Sequence, residues 1–224
     1  MKLKNFRLLH FLFILFFSVC FTGCLTSAKM DAYVAKQYGN ELPKPKKGKP
    51  DVVVNSVFST ANDFISTTVN KTSHFLPLIV YFQYDYRHTC KLNPLLGVTE
   101  FTNAINTQYS KLASKLKSNR LELTVEQVPS AFAIVDKGHL LLFTISWDEI
   151  YVEPDFKDLV VSYKLLQNND VVKTGKIDVK NHEKDRGIGI FQSWRSSVRE
   201  YLSSYDANMT TMSRDFVNQL TDQL

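Results

Sequence analysis

The stretch Leu159–Val179, LVVSYKLLQNNDVVKTGKIDV, decides how this chain is read. Two apolar, β-branched runs, Leu159–Leu166 and Val171–Val179, flank Gln167-Asn168-Asn169-Asp170. Asn and Asp tolerate the positive φ that a tight turn demands, so the two runs predict an antiparallel hairpin. Beyond it, Phe191, Trp194, Val198, Leu202, Tyr205, Met209, Met212, Phe216, Leu220 and Leu224 recur at helical spacing. They predict one long helix, or two nearly collinear ones broken near Asp206 and Asn208. Such a helix covers the sheet, or offers a partner a seam that includes Phe191, Trp194, Met209 and Met212.

Working back from the hairpin, His139–Asp148 alternates, with Leu141, Phe143, Ile145 and Trp147 on one side. That is a strand with one face in the core and one partly wet. Leu121–Val128, Asp51–Phe58 and Phe75–Tyr86 also read as strands, Pro77 suggesting that the last begins at an edge. Val98, Phe101, Ile105, Tyr109, Leu112 and Leu116 define an amphipathic helix with Thr99 as its cap. The expected architecture is α+β: an antiparallel sheet with an inserted amphipathic helix and a long C-terminal helix, the helices packed on one face. Residues 51–224 suffice for one such domain with a buried core.

The chain begins as a secretory leader. Lys2, Lys4 and Arg7 precede an apolar run from Leu8 to Phe21 that only His10 and Ser18 interrupt. The run is shorter than the roughly 20 residues a membrane-spanning helix needs. Phe21-Thr22-Gly23-Cys24 resembles the lipobox of bacterial lipoproteins, where a large apolar residue, a small one and Gly or Ala precede an acylated Cys. The resemblance implies a signal peptide over 1–23 and acyl chains, palmitate among them, on Cys24. Leu25, where Asp would retain such a protein in the inner membrane of enteric bacteria, implies transfer to the outer membrane. Without acylation the same leader is an ordinary secretory signal.

Dividing the chain changes the meaning of its charge. Of the net +5, the leader holds Lys2, Lys4 and Arg7, and residues 25–50 hold six Lys against Asp31 and Glu41. The remainder is −2, because 5 − 3 − 4 = −2. A basic nucleic-acid footprint on the domain is not expected. Residues 24–50 read as lipid anchor and Lys/Pro-rich tether, with one or two helical turns around Met30, Tyr33 and Val34 and a stop at Gly39. The segment Pro43–Pro50 should be extended and solvated, a spacer or a site attracted to anionic headgroups or cell-wall polymer. As a coil the tether would hold the body about 28 Å from the membrane.

Candidate chemistry is sparse. His88 and Cys90 stand two apart, where a strand would give thiol and imidazole one face for a thiol or hydrolase site. No third group that would orient them is evident, and buried, inert Cys90 is the plainer reading. Asp148, Glu149, Glu153, Asp155 and Asp158 form an acidic run without the pattern or Gly of a calcium loop, and read as a solvated loop. His182, Glu183, Asp185 and Arg186 read as a mobile polar connection, and no spacing suits zinc. No cofactor or metal is expected. Asn70-Lys71-Thr72 and Asn208-Met209-Thr210 match the glycosylation sequon, which matters only in a eukaryotic host.

The order of anchor, strand, helix, several strands with a hairpin and terminal helix is similar to small envelope lipoproteins that assist lipid or lipopolysaccharide transport. The auxiliary lipoproteins of ABC-type exporters are among them. That similarity implies a non-catalytic binding, assembly or transport-accessory domain in the bacterial envelope, facing the periplasm, with a protein or lipid-like partner. The alternatives are a small envelope enzyme using His88 and Cys90 and a structural tether between membrane and cell wall.

Overall fold

A computed structural model describes residues 25–39, 42–59, 65–76, 81–141, 144–189 and 192–224, with the backbone alone for 144–148. The chain runs α1 (Ser27–Gln37), β1 (Val52–Ser56), β2 (Ile65–Leu76), β3 (Tyr81–Leu92), α2 (Leu95–Thr107), α3 (Tyr109–Leu116) and β4 (Arg120–Gln127). It continues through β5 (Ala131–Leu141), β6 (Thr144–Pro154), β7 (Leu159–Gln167), β8 (Asp170–Val179), β9 (Arg186–Gly187) and α4 (Trp194–Gln223). The fold is α+β.

Asn168 and Asn169 take φ of 52° and 72°, and Gln167 faces Asp170 across them, so β7 and β8 form the expected hairpin. Two positive φ values in succession define a type I′ turn, which matches the twist of the flanking strands. The expected single antiparallel sheet is in fact two sheets. One has the order β1-β4-β7-β8 and the other β2-β3-β5-β6-β9. The first is mixed, because β1 runs parallel to β4, Val52 beside Leu121. Parallel neighbours require a crossover, and here β2, β3, α2 and α3 make it.

Helix α4 is a single helix of 30 residues with no break at Asp206 or Asn208. The Ser193 hydroxyl caps it by accepting from the Ser196 N–H at 3.2 Å. Its buried face joins the two sheets. Tyr201 packs on Phe132 of the second sheet with ring centroids 4.6 Å apart, and its hydroxyl donates to the Ala131 carbonyl. At the other end the Tyr163 hydroxyl, from the first sheet, donates to Gln223 Oε1 at 2.9 Å. Buried tyrosines are stable here because each hydroxyl has a partner. Tyr205, fully buried, donates to the Pro129 carbonyl at 2.9 Å.

Several boundaries differ from expectation for physical reasons. The inserted helix starts earlier and divides at Gln108 into α2 and α3. The Thr102 and Thr107 hydroxyls bond back to the Val98 and Asn103 carbonyls, a competition that bends helices. Thr99 is not a cap but lies inside α2, its hydroxyl donating to the Pro43 carbonyl. Close packing of α2 on α4 depends on Gly97, where a Cβ would lie 2.9 Å from the Tyr205 hydroxyl and 3.1 Å from Val128.

Two expected strands are hairpins. Phe75 pairs with Phe82 and Leu76 with Tyr81, so Phe75–Tyr86 is the far end of β2 and β3; Pro77 lies outside the described residues. Likewise Leu141 pairs with Thr144 and Leu140 with Ile145, so His139–Asp148 folds back on itself.

The largest correction concerns residues 25–50. Helix α1 is docked, not a free arm: Met30 and Val34 are fully buried members of the hydrophobic core. Thr26 caps it, Tyr33 meets the Trp194 ring edge-on at 5.4 Å, and the Tyr33 hydroxyl donates to the Arg195 carbonyl. The Asp31 carboxylate accepts from the Thr67 hydroxyl of β2. The Lys/Pro segment that follows is extended but strapped to α2. Lys46 N–H donates to Asn103 Oδ1 at 3.0 Å, and Asn106 Nδ2 donates to the Lys46 carbonyl at 3.3 Å.

Candidate functional site

The structure disperses most of the residues that the sequence singled out. Met209 and Met212, expected as a partner seam, are 0% and 2% exposed and belong to the domain's own core. Trp194 is half-buried between Tyr33 and the Arg195 guanidinium. Phe191 and Cys24 lie outside the described residues. The seam faces inward because α4 has two sheets and two helix layers to cover.

His88 and Cys90 occupy alternate positions of β3 and are both buried. Burial pushes the Cys90 thiol up to about 12, against the smaller opposing effect of a hydrogen bond with Thr67. Burial also lowers the His88 pKa, with Lys71 adding to the effect. A nucleophilic thiol needs the reverse, a depressed pKa beside a cation or base. Cys90 is a packing residue on this geometry.

Within the acidic run Glu153, Asp155 and Asp158 are bound into the fold, Glu149 is exposed, and the Asp148 side chain lies outside the described residues. Asp155 accepts from the Ser130 N–H at 2.9 Å, and Asp158 accepts from the Asn181 N–H at 2.9 Å and from Lys180 Nζ at 2.5 Å. Glu153 forms a two-pronged pair with Arg87, at 2.6 and 2.7 Å. These carboxylates fasten loops and strands, and among the described residues no group of three His, Cys, Asp or Glu is placed to hold a metal. The connection at 182–186 is also built in. The Glu183 carboxylate, buried and with its pKa raised by burial, accepts from the Ser204 hydroxyl, while Arg186 pairs with Val152 of β6.

What the structure brings together is a surface that sequence reading missed, at the open end of the five-stranded sheet. The buried positions of β3 and β5 concentrate at His88, Cys90 and Leu92 and at Phe132–Val135, with Gly138 alone beyond them. Beyond Arg87 the strands continue with less burial. At their end Phe75, Leu76 and Leu141 are 61%, 53% and 42% exposed. Register places them together, since Leu76 pairs with Tyr81 and Tyr81 with Leu141. Behind them runs an aromatic ladder on β3: Phe82 stacks on Tyr84 at 6.3 Å, and Tyr84 meets Tyr86 at 5.1 Å.

Charge stops abruptly at this ladder. Thr72–Tyr84 and Gly138–Trp147 contain no Asp, Glu, Lys or Arg. The next positions back are charged: Lys71 and Asp85, Lys137 and Asp148. Lys71 lies over the Tyr86 ring at 5.2 Å and Lys137 over Tyr151 at 5.8 Å, where cation–π attraction holds the ammonium groups at the boundary. The two charge-free runs were the available signal in the sequence. Their meaning was hidden because only the pairing of β3 with β5 shows that they form one surface.

One concavity lies between the Lys46–Lys49 strap, Val52–Val54 of β1 and Ile105 of α2, with a volume of about 640 Å³. Its lining combines Lys46, Lys47 and Lys49 with apolar Val52–Val54 and Ile105. The chain is therefore an α+β domain with an apolar sheet end and a basic strap. Compared with known proteins, it matches no family model, and no curated protein or solved structure matches it.

Proposed function

We propose that this chain is a lipid-anchored protein of the bacterial envelope, held at the outer membrane by acyl chains on Cys24 and facing the periplasm. Its domain is a non-catalytic binding module, serving assembly or transport through contact with an envelope protein or a lipid-like partner. The observation that carries this reading is Phe21-Thr22-Gly23-Cys24 standing immediately before a docked helix. Only Leu25 and Thr26 separate Cys24 from α1, so acylation there would set the domain directly against the membrane. Two or three acyl chains make such an anchor effectively permanent, whereas one alone binds marginally.

The raised Cys90 thiol supports binding over thiol chemistry. The test is the mass of the processed chain together with membrane fractionation. The wild type should begin at Cys24, carry acyl chains and sediment with membranes. Cys24→Ala should abolish both processing and the acyl mass, and acyl chains missing from the wild type would sink the proposal. Crosslinking in cells followed by mass identification then names the partner.

A further inference from the structure

We propose that the open end of the five-stranded sheet is a second membrane contact, which dips into the interfacial layer of a phospholipid bilayer. The inference rests on the anchored reading above, because the docked α1 leaves no long arm between Cys24 and the body. Two residues intervene before Ser27, about 10 Å of chain from Cys24 at full stretch. An acylated Cys24 therefore keeps the body at the bilayer surface, which puts lipid within reach of the apolar sheet end.

Depth follows from register. The charge-free rows of β3 run from Tyr84 to Tyr81, three strand steps or about 10 Å. That agrees with the roughly 5–10 Å to which apolar faces sink at the headgroup boundary and is far short of the ~30 Å of a bilayer's hydrocarbon. Ser73, Gln83 and Thr144 lie in the same rows. Strand β2 is moreover an edge of its sheet, with one row of backbone N–H and C=O groups unpaired by a neighbouring strand. Lipid-exposed edges do not occur in hydrocarbon, so water and headgroups must reach this one. The end is suited to the interface and unsuited to the bilayer core. Its tyrosines are the side chains that favour that layer, apolar in body and polar at the tip. Lys71, Asp85 and Lys137 set the limit of insertion, because each would have to lose its hydration to go deeper.

The anchor and the sheet end together orient the domain. Thr67, bonded to Asp31 of α1, lies nine strand steps from Leu76, about 30 Å. From Asp31 back to Cys24 the chain spans at most about 16 Å. Both ends reach one bilayer only when the strands lean, rising about 16 Å over their ~30 Å, so the charge-free ~10 Å of strand then reaches a depth of about 5 Å, still within the interfacial layer.

The experiment uses the processed protein with Leu141→Cys, labelled with an environment-sensitive fluorophore and reconstituted into phosphatidylglycerol/phosphatidylethanolamine vesicles containing brominated acyl chains. Buried Cys90 stays unlabelled in the folded protein. The expected result is loss of about half the emission, as for a group held in the interface. The same label at Val172→Cys, on the exposed end of the other hairpin, should keep its emission. Adding Phe75→Asp and Leu76→Asp should restore emission at 141 without changing the thermal midpoint, because both residues are exposed. An unquenched label at 141 on a chain whose mass shows the acyl groups overturns the second contact and leaves the anchor standing. A processed chain without acyl groups overturns the anchor, and with it the reason for a bilayer occupant. A label shielded in cells but unquenched in vesicles overturns the bilayer in favour of a protein.

Discussion

Replacing Met30 by Ala separates a docked helix from a free arm. Met30 is fully buried, as is Val34 one turn later, and both belong to the continuous core that includes α4. The substitution removes three heavy-atom groups, worth about 2.4 kcal/mol at ~0.8 kcal/mol each. The cavity left behind adds to this, bringing the expected loss to about 3 kcal/mol, within the observed range for Met→Ala. Alanine's better helix propensity returns only a few tenths of a kcal/mol. The assay is urea unfolding of the processed protein followed by far-UV circular dichroism and by tryptophan fluorescence, since Trp194 packs on Tyr33 of α1. Both probes should shift to a lower midpoint together with an unchanged slope. If α1 were an independent satellite, fluorescence would shift alone while the sheet's midpoint stayed put. A loss under about 0.5 kcal/mol by both probes would refute the reasoning.

Gly175→Ala places a Cβ 2.6 Å from the ring of Tyr163, which is 2% exposed and tied to Gln223, so unfolding should cost about 2 kcal/mol less. A double-mutant cycle with Tyr163→Leu should recover most of that, and no coupling would contradict the clash. Asp206 is raised to about 6 by burial first and by Glu100 second. The folded state then holds its proton more tightly than the unfolded chain, so this carboxyl's contribution to stability falls as pH rises from about 4 through 6. Asp206→Asn should stabilise the protein by about 1 kcal/mol at pH 7, allowing for the solvent screening of a half-buried group, and by nothing near pH 4. Thermal melts of both proteins across that range decide it. The Cys90 thiol, at about 12, should resist thiol reagents at pH 8 until the protein unfolds, and prompt labelling in native buffer would contradict its burial.

Where local chemistry and tertiary demand agreed, the fold was legible in the sequence. The Asn168-Asn169 turn needs positive φ, and its side chains permit it. The α4 pattern continues without interruption because every third or fourth residue meets a sheet or another helix. Legibility failed where strands reverse without turn residues. Between Leu76 and Tyr81, and between Leu141 and Thr144, the sequence holds only apolar residues and one Pro, so two hairpin ends read as two straight strands. Strand β2 was invisible because Ser66, Thr67, Thr68 and Thr72 make it polar, as a largely exposed edge strand can be. Helix α1 was visible as a pattern at Met30 and Val34 but not as part of the core, since its surroundings come from residues far along the chain. The sheet end needed the pairing of two distant hairpins before its lack of charge acquired a place.

The charge division drawn along the sequence changes meaning once the strap is docked. Of the six Lys in residues 25–50, Lys29 and Lys36 lie on α1, and Lys44, Lys46, Lys47 and Lys49 lie on the strap held along α2 instead of trailing away from the body. Lys49 sits over the Tyr109 ring at 5.3 Å, and the Tyr109 hydroxyl donates to Asp51 at 2.8 Å. Meanwhile several of the domain's acids are occupied locally, Glu126 by Lys176 and Asp158 by Lys180. The result is a body with a cluster of lysines on one strap and no Asp, Glu, Lys or Arg on one sheet end. On the proposed membrane contact, these two surfaces would act by different physics. An anionic surface draws the strap electrostatically, and salt screens that pull beyond about 10 Å at 0.1 M. The sheet end works by removing apolar area from water, which salt does not screen. Membrane proximity that disappears as salt rises therefore belongs to the lysines, and quenching at Leu141 that survives belongs to the sheet.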